Sequence, residues 1–258
     1  MLADGAVLRA LERVSGRSWS APIRVLAETG STNDDAKALA REGAPQATLV
    51  VADAQTAGRG RSGARWHSPA GENLYLSLVL RPSIAAAAVA PFTLVAGLVV
   101  AGAVDERTSR AALVKWPNDV HVDGKKVSGI LVEGQVRGDT LSSIVVGLGV
   151  NVTTTSFPPP LDMTATSLAM LGARDRDRAS LAAAIAVGLV DAVERFAREG
   201  LAPFARELAA RDALIGRRVR VGDVEGLAMG IDAEGRLLVS TDADGTTPIV
   251  AGHVELVG

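Results

Sequence analysis

Hydrophobic positions recur at helical spacing in some stretches of the chain and at strand spacing in others, and their order predicts a mixed α/β domain followed by an all-β segment. Leu8, Leu11 and Val14 sit at helical spacing before Gly16, and Ile23, Val25 and Leu26 read as a strand. A turn from Thr29 to Asp34 leads into a helix through Ala36, Leu39 and Ala40, which Ser31 or Thr32 can cap and which Gly43 and Pro45 close. Apolar runs at 48–52 and 74–80 predict two strands that hold the segment between them at both ends. Residues 83–106 are alanine-rich and read as a helix, broken or kinked around Pro91, that covers one face of the sheet. Strands follow at 112–116, 121–122, 126–133 and 142–150, the last almost continuous in Ile, Val and Leu. After an irregular excursion at Pro158-Pro159-Pro160, two helices are expected at 181–196 and 201–213. From Gly216 the strands are divided by Gly226, Gly230, Gly235 and Gly245, which suggests a small barrel or curled sheet. The expected division is a main domain over residues 1–213 and a small β domain over 214–258, and the small one reads as a structural cap.

A chain of 258 residues can bury a core without a metal or disulfide staple. With no cysteine there are no disulfides and no thiolate nucleophiles, which suits a reducing cytoplasm, and three scattered histidines argue against a structural zinc site. Residues 85–104 are apolar, but Pro91, the many alanines and the immediate Asp105, Glu106 and Arg107 fit buried helix better than a membrane span. The first twenty residues carry Asp4, Arg9, Glu12 and Arg13 without an apolar signal core. A formal net charge of -2 gives no general attraction to nucleic acid, so the expected location is cytoplasmic, with neither membrane nor nucleic acid as partner.

Positive charge is instead concentrated locally. Gly58-Arg59-Gly60-Arg61-Ser62-Gly63-Ala64-Arg65-Trp66 combines cations that stay charged at any working pH with glycines that let the backbone close around an anion. The loop has no acidic residue, ends in an aromatic that can cap a flat ring, and follows Gln55 and Thr56, which can donate and accept hydrogen bonds. A second constellation is Lys115-Trp116-Pro117-Asn118-Asp119, followed by Gly124-Lys125-Lys126-Val127-Ser128-Gly129. Strand alternation opposes Lys126 to Lys125 and places it with Ser128, so that its ammonium can enter a pocket beside Gly129. Asp119 can orient a lysine, help hold magnesium or cap a turn. A third is Gly147-Leu148-Gly149-Val150-Asn151, where glycine either relieves crowding or lets a ring lie against backbone. Ser31-Thr32-Asn33 is an equally compact polar group, of which capping accounts for one residue more readily than for all three.

In this order, the three constellations with Ser31-Thr32-Asn33 and Gln55 closely resemble the bacterial biotin protein ligases, and the resemblance extends over nearly the whole chain. It implies an α/β catalytic domain related to class II aminoacyl-tRNA synthetases and lipoate ligases, of the α+β kind, with a small C-terminal β barrel. By the resemblance, Ser31, Thr32, Asn33 and Gln55 meet the fused rings of biotin, while Arg59, Gly60 and Arg61 close over its chain and the nucleotide. Gly58, Trp66, Lys115, Asn118 and Asp119 are expected among the ligand-binding residues as well. Lys126 touches carboxylate and phosphate, Gly129 lines the biotin pocket, and Asn151 lies on the nucleotide side. The family loop reads Gly-Arg-Gly-Arg-x-Gly-Arg-x-Trp, whereas here Ala64 takes the third arginine position and Arg65 follows it. Ile23 is reached too soon for the DNA-binding domain of the family's repressor members, so the monofunctional kind is expected.

The implied substrates are ATP and biotin with Mg2+, and the implied partner is the biotin carboxyl carrier protein or domain of acetyl-CoA carboxylase or a related carboxylase. A homodimer is compatible with the resemblance. Arg59, Arg61 and Lys126 are the expected catalytic residues, acting by offsetting charge repulsion between carboxylate and phosphate. A lipoate or octanoate ligase needs the same activation but a slot for a flexible apolar chain, whereas Ser31, Thr32 and Gln55 suit a ureido ring. A biotin-responsive DNA-binding regulator is the alternative from a different class, and the overall negative charge argues against it.

Overall fold

Strands buried along most or all of their length form the centre of the molecule, for which a computed structural model describes residues 2–138, 140–241 and 245–257. β2 (Leu49–Ala52) and β3 (Leu74–Leu80) are buried at every residue, as is the second half of β7 (Thr140–Val150), and this requires packing on both faces. They occupy the middle of a seven-stranded sheet ordered β1-β2-β3-β7-β6-β5-β4. Its remaining strands are β1 (Ile23–Leu26), β4 (Ala112–Lys115), β5 (Asp119–Val122) and β6 (Lys125–Arg137). β1 and β2 run parallel and the other neighbours antiparallel.

One face of the sheet carries α1 (Asp4–Ser15), α3 (Val89–Thr108) and α5 (Arg178–Glu199), which enclose the large core. By length and composition alone α3 could cross a membrane. Its apolar residues are consumed within the fold instead: Phe92 meets Phe196 with ring centroids 5.2 Å apart, and Gly97 lies against Val114 and Ile130. Pro91 falls in the first turn of α3, where its missing N–H costs no helical bond. The expected break therefore lies ahead of the helix, in a 3-10 turn at Ala86–Ala88.

The opposite face carries α2 (Thr32–Arg41), whose Ala36, Leu39 and Ala40 pack on Val50, Val79 and Val145. Arg81, just beyond β3, fixes the C-terminal end of α2. Its guanidinium donates to the carbonyls of Ala40 in the last turn of α2, of Ala44 beyond it and of Ser142 in β7 at 2.7–3.0 Å, tying the helix end to the sheet.

After β7 come a single turn, α4 (Leu161–Thr164), then α5, a 3-10 turn at Ala202–Phe204, and α6 (Ala205–Arg211), shorter than the helix expected over 201–213. Strands β8 (Arg218–Val221), β9 (Val224–Ile231), β10 (Leu237–Thr241), β11 (Gly245–Ile249) and β12 (Glu255–Leu256) form a second sheet ordered β11-β10-β9-β8-β12. The expected barrel does not form: β11 and β12 are opposite edges of an open sheet and do not pair with each other among the described residues. β12 is two residues long, too short to close a cylinder. The inner face, with Val219, Val221, Ala228, Leu237 and Val239, joins the core of the main domain instead of lining an interior of its own. Trp116 Nε1 ties the two parts together by donating to the Gly235 carbonyl at 3.0 Å.

Replacing Arg81 with Ala leaves four buried or half-buried carbonyl contacts unmade, and should lower stability by about 2 kcal/mol in urea unfolding. An unchanged midpoint would show that α2 does not depend on this cap.

Candidate functional site

The site grows from the alternation of side chains on the α2-facing side of the sheet. Cross-strand register there gives three successive rows, Glu133–Val145–Val79, Leu131–Gly147–Ser77 and Gly129–Gly149–Tyr75. α2 covers the first row. Over the next two, glycine removes the side chains and leaves a cavity of about 230 Å³. These glycines are required by close approach: a Cβ on Gly147 would overlap Asn33 Oδ1, one on Gly149 would overlap Trp66 Nε1, and one on Gly129 would lie 2.8 Å from Trp66 Cζ3. The ring that rests on this backbone is thus the protein's own indole.

The polar wall is the N-terminus of α2. Ser31 occupies the cap position with extended backbone, but neither it nor Thr32 caps through its side chain, contrary to the expectation from sequence. Gln55 does so from the segment after β2: its Oε1 accepts from Thr32 N at 2.9 Å and from Thr32 Oγ1 at 3.2 Å, while Nε2 donates to Ser68 Oγ at 3.2 Å. The buried Ser77 hydroxyl lies 2.6 Å from Asn33 Oδ1 and 2.9 Å from Thr32 Oγ1. Asn33 Nδ2 donates to Glu133 Oε2 at 2.8 Å and to the Leu131 carbonyl at 3.3 Å. With Thr32, Asn33 and Gln55 locked to one another, the Ser31 hydroxyl lines the cavity unengaged by any hydrogen bond among the described residues.

The glycine and arginine loop folds back on itself, with Arg59 and Arg65 bridged and a 3-10 turn at Arg61–Gly63, where Ser62 and Gly63 take φ of 53° and 79°. Its arginines divide by task. Arg59 pairs with Asp34 at 2.5 Å and Glu133 at 3.3 Å, so acidic residues from outside the loop neutralise it. Arg65 Nη2 donates to the Thr56 carbonyl at 3.2 Å, and Ala64 and Arg65 both line the cavity. The Arg61 side chain makes no hydrogen bond or ion pair among the described residues and lines three cavities. Burial lowers its pKa, Asp119 partly counters this, and it remains a cation. Gly58 lies behind the cavity, where a Cβ would come within 2.7 Å of Ser68 Oγ and 3.0 Å of Gln55 Nε2.

Lys126 reaches the cavity by a different route from the one strict alternation implies. The register between β5 and β6 shifts so that Val120 faces Ser128 and His121 faces Lys126, which leaves Val127 as an extra residue. The bulge turns Lys126 onto the face of Gly129 instead of that of Ser128: a Gly129 Cβ would lie 3.1 Å from Lys126 Cε, whereas Ser128 is fully buried and donates to the Gly149 carbonyl. Lys126 Nζ is 2.7 Å from Asp119 Oδ1 and 5.3 Å from the Trp66 ring centroid. Of the roles open to Asp119, orienting this lysine is the one its geometry displays. Burial pushes the Asp119 pKa up, but His121 and Lys126 outweigh it and hold the carboxyl below its usual range. The pair therefore persists at neutral pH and is lost only as pH falls through that depressed pKa.

Asn118 lines the cavity, with its Nδ2 donating to the Ile130 carbonyl and its carbonyl accepting from Ile130 N. Lys115 lies in an adjoining cavity of about 440 Å³, shared with Arg61, Ala64, Asn118, Asp119 and His253. Burial lowers the Lys115 pKa, with Asp119 acting in the opposite sense and Lys126 in the same one. Asn151 is internal: its Nδ2 donates to the Thr166 carbonyl, fixing the segment whose Ala165 pairs with Lys126. Of the residues expected at the site, all but Gly58, Lys115 and Asn151 line the central cavity. Sequence reasoning missed Ser77, Glu133 and His253, each of which is far in sequence from the motifs it meets.

Residues 25–151 match the biotin/lipoate A/B protein ligase family, and residues 214–257 match the biotin protein ligase C terminal domain. The bifunctional ligase/repressor BirA of Bacillus subtilis is 37% identical over 232 residues, covering 88% of this chain and 71% of the relative. The biotin--[acetyl-CoA-carboxylase] ligase of Mycobacterium tuberculosis is 36% identical over 251 residues, 93% of this chain and 90% of the relative. The biotin protein ligase of Aquifex aeolicus in complex with biotin and ATP superposes with a TM-score of 0.78 at 30% identity, over 92% of this chain and 98% of that one.

Gly147→Ala should destabilise the protein by about 2 kcal/mol through the clash with Asn33, whereas Gly30→Ala, with open space at its Cβ, should change stability by about 0.5 kcal/mol or less. Equal effects in thermal unfolding would refute the assignment of Gly147 as a close-approach position.

Proposed function

This chain belongs to the biotin protein ligases, and from that premise we propose that its cavity binds biotin and ATP, joins them as biotinyl-5'-AMP, and delivers the biotinyl group to a lysine of a carrier protein. The observation that carries the residue assignments is the position of Lys126 and Arg61. Lys126 is fixed by Asp119 over the glycine floor of the central cavity, whereas the Arg61 side chain is unpaired among the described residues and lines both that cavity and the one holding Lys115.

In the first step a carboxylate oxygen of biotin bonds to the α-phosphorus of ATP as the bond to the pyrophosphate oxygen breaks. The reacting groups are both anionic, so the protein's task is to offset repulsion and to hold them in line. Lys126 sits where it can touch carboxylate and α-phosphate together, and Arg61 can close over the phosphates from the loop. Lys115 and His253 line the side into which pyrophosphate would leave. Ser31, Thr32, Asn33 and Gln55 offer the polar edge for the ureido ring; the bond between Thr32 and Gln55 and those of Asn33 to Ser77 and Glu133 keep three of the four rigid before the ligand arrives, and the Ser31 hydroxyl stays open to it. Asn151 contributes indirectly, by holding residues 165–166 beside Lys126.

Mg2+ fits as part of the nucleotide: no group of three potential acidic or histidine ligands gathers among the described residues, and Asp119 is the carboxylate nearest the expected phosphates. Bound in this way it would supply charge to the triphosphate, while Lys126 and Arg61 act at the transferred phosphorus. In the second step the amine of the acceptor lysine attacks the mixed anhydride's carbonyl and AMP leaves. Closure of the loop keeps water from that carbonyl until the acceptor arrives. The acceptor is the biotin carboxyl carrier domain of acetyl-CoA carboxylase or a related carboxylase, and the cytoplasm is the expected compartment.

Biotin-dependent exchange of labelled pyrophosphate into ATP tests the reading, with lipoate and octanoate in parallel. Exchange with biotin alone is expected, and exchange only with the acyl chains would overturn the substrate. Lys126→Ala should reduce adenylate formation by about 100-fold or more, and transfer from supplied biotinyl-5'-AMP by about tenfold or less. Equal losses in the two steps would remove Lys126 from the first. Arg61→Ala should slow synthesis and release the adenylate about tenfold faster; unchanged retention and synthesis would eliminate the loop clamp.

A further inference from the structure

We infer that Glu133 is a positioning residue that couples recognition of the biotin ring to closure of the arginine loop. The inference rests on the biotin ligase reading and assigns a task to a side chain outside every motif that led to it.

Four charged side chains from three separate segments form a closed ring of alternating sign. Lys37 Nζ lies 3.0 Å from Asp34 Oδ1 and 2.9 Å from Glu133 Oε1; Arg59 Nη2 lies 2.5 Å from the same Asp34 oxygen and 3.3 Å from Glu133 Oε2. Asp34 and Lys37 belong to α2, Arg59 to the loop and Glu133 to β6. The Glu133 and Lys37 side chains are 25% and 18% exposed, so this half of the ring is less screened by solvent than the Asp34 side chain, which is 56% exposed.

The feature that makes the ring more than a surface network is the second use of Glu133 Oε2. That oxygen also accepts from Asn33 Nδ2 at 2.8 Å, and this bond, with Ser77 on Asn33 Oδ1, decides which way the Asn33 amide points over the glycine floor. One carboxylate oxygen is therefore shared between the group that meets the ring and the group that anchors the loop. When the loop opens and Arg59 leaves, Glu133 keeps a single cation, Lys37, on its other oxygen. Its carboxylate is then free to turn toward that lysine, and Asn33 loses its fixed acceptor. A ligand that holds Asn33 in place holds Glu133 where Arg59 can dock, and by linkage a docked loop tightens the grip on the ligand. Asp34 stabilises the same loop position without touching Asn33.

The shared oxygen predicts a difference between two variants. Glu133→Gln should raise the biotin KM about tenfold and release biotinyl-5'-AMP about tenfold faster, the size expected for coupling within one network. Asp34→Asn, at an exposed position that should fold normally, weakens loop docking without touching Asn33; it should speed adenylate release by about threefold or more and raise the biotin KM through linkage alone, by a clearly smaller factor than Glu133→Gln. In the presence of biotin, trypsin should also cut the loop after Arg61 or Arg65 faster in both variants. If Asp34→Asn raises the biotin KM as much as Glu133→Gln does, or if Glu133→Gln moves one quantity without the other, the coupling is overturned. If Glu133→Gln does not fold, Asp34→Asn decides alone: unchanged release and unchanged loop cleavage would sink the proposal. Wild-type pyrophosphate exchange run beside these assays separates the two failures, because its absence would refute the ligase reading and its presence leaves only the coupling at stake.

Discussion

Close approach to bare backbone on the central strands is the constraint on which the site depends. Gly129, Gly147 and Gly149 are neighbours across β6 and β7, and all three project toward α2. Side chains at these positions would fill the space occupied by Asn33 and Trp66. The floor therefore combines two properties that rarely coincide: it is held rigid by the hydrogen-bond ladder of a buried sheet, and it is flat enough for an amide and an indole to lie on it. The opposite face of the same strands carries Ile130, Ile144, Val146 and Leu148, packed into the main core, so the floor cannot sag without disrupting that packing.

On this floor the charges are sorted by whether they are already paired. Arg59 and Lys37 are neutralised by Asp34 and Glu133, and Lys126 is steered by Asp119, whereas Arg61 remains without a protein anion in contact. A loop whose arginines were all unpaired would repel itself and stay open. Spending Arg59 on carboxylates of α2 and β6 gives the loop a resting position, and it leaves Arg61 as the loop cation presented to the cavities without a protein anion in contact. The Val127 bulge serves the same sorting, since without the extra residue the Lys126 ammonium would point toward α3 and away from Asp119.

The sequence displayed those features that are local. Continuous apolar runs marked β2, β3 and β7, and the spacing of glycine and arginine marked the loop. Lys115 to Asp119 and the Gly147 to Asn151 segment were visible as polar or glycine breaks in strands. Long-range pairing was hidden: Gln55 caps a helix that begins 23 residues earlier, and Glu133 meets Asn33 across 100 residues, with nothing near either residue to announce the contact. The bulge was equally invisible, because one extra residue reverses the side-chain parity on which the reading of Lys126 with Ser128 relied. Asn151 has an internal bond that was hidden for a related reason. A polar residue closing an apolar strand reads as a ligand contact, and its bond to the Thr166 carbonyl, 15 residues on, has no local signal.

The barrel expected at the C-terminus shows what strand counting leaves out, and its failure to close bears on the site. Glycine-separated strands encode reversals of direction, but closure depends on whether the first and last edges can meet, and a two-residue β12 cannot supply that edge. Because β11 and β12 remain apart, the chain between them is not drawn into a ladder. Gly252 instead presses against Val221, where a Cβ would overlap Cγ1, and Val254 is buried. With its neighbours fixed on both sides, His253 is presented to both the central cavity and the one that contains Arg61 and Lys115. The segment between the two edge strands thus supplies a wall of both cavities, and Trp116, bonded to Gly235 from within the Lys115 to Asp119 motif, keeps the two parts in register.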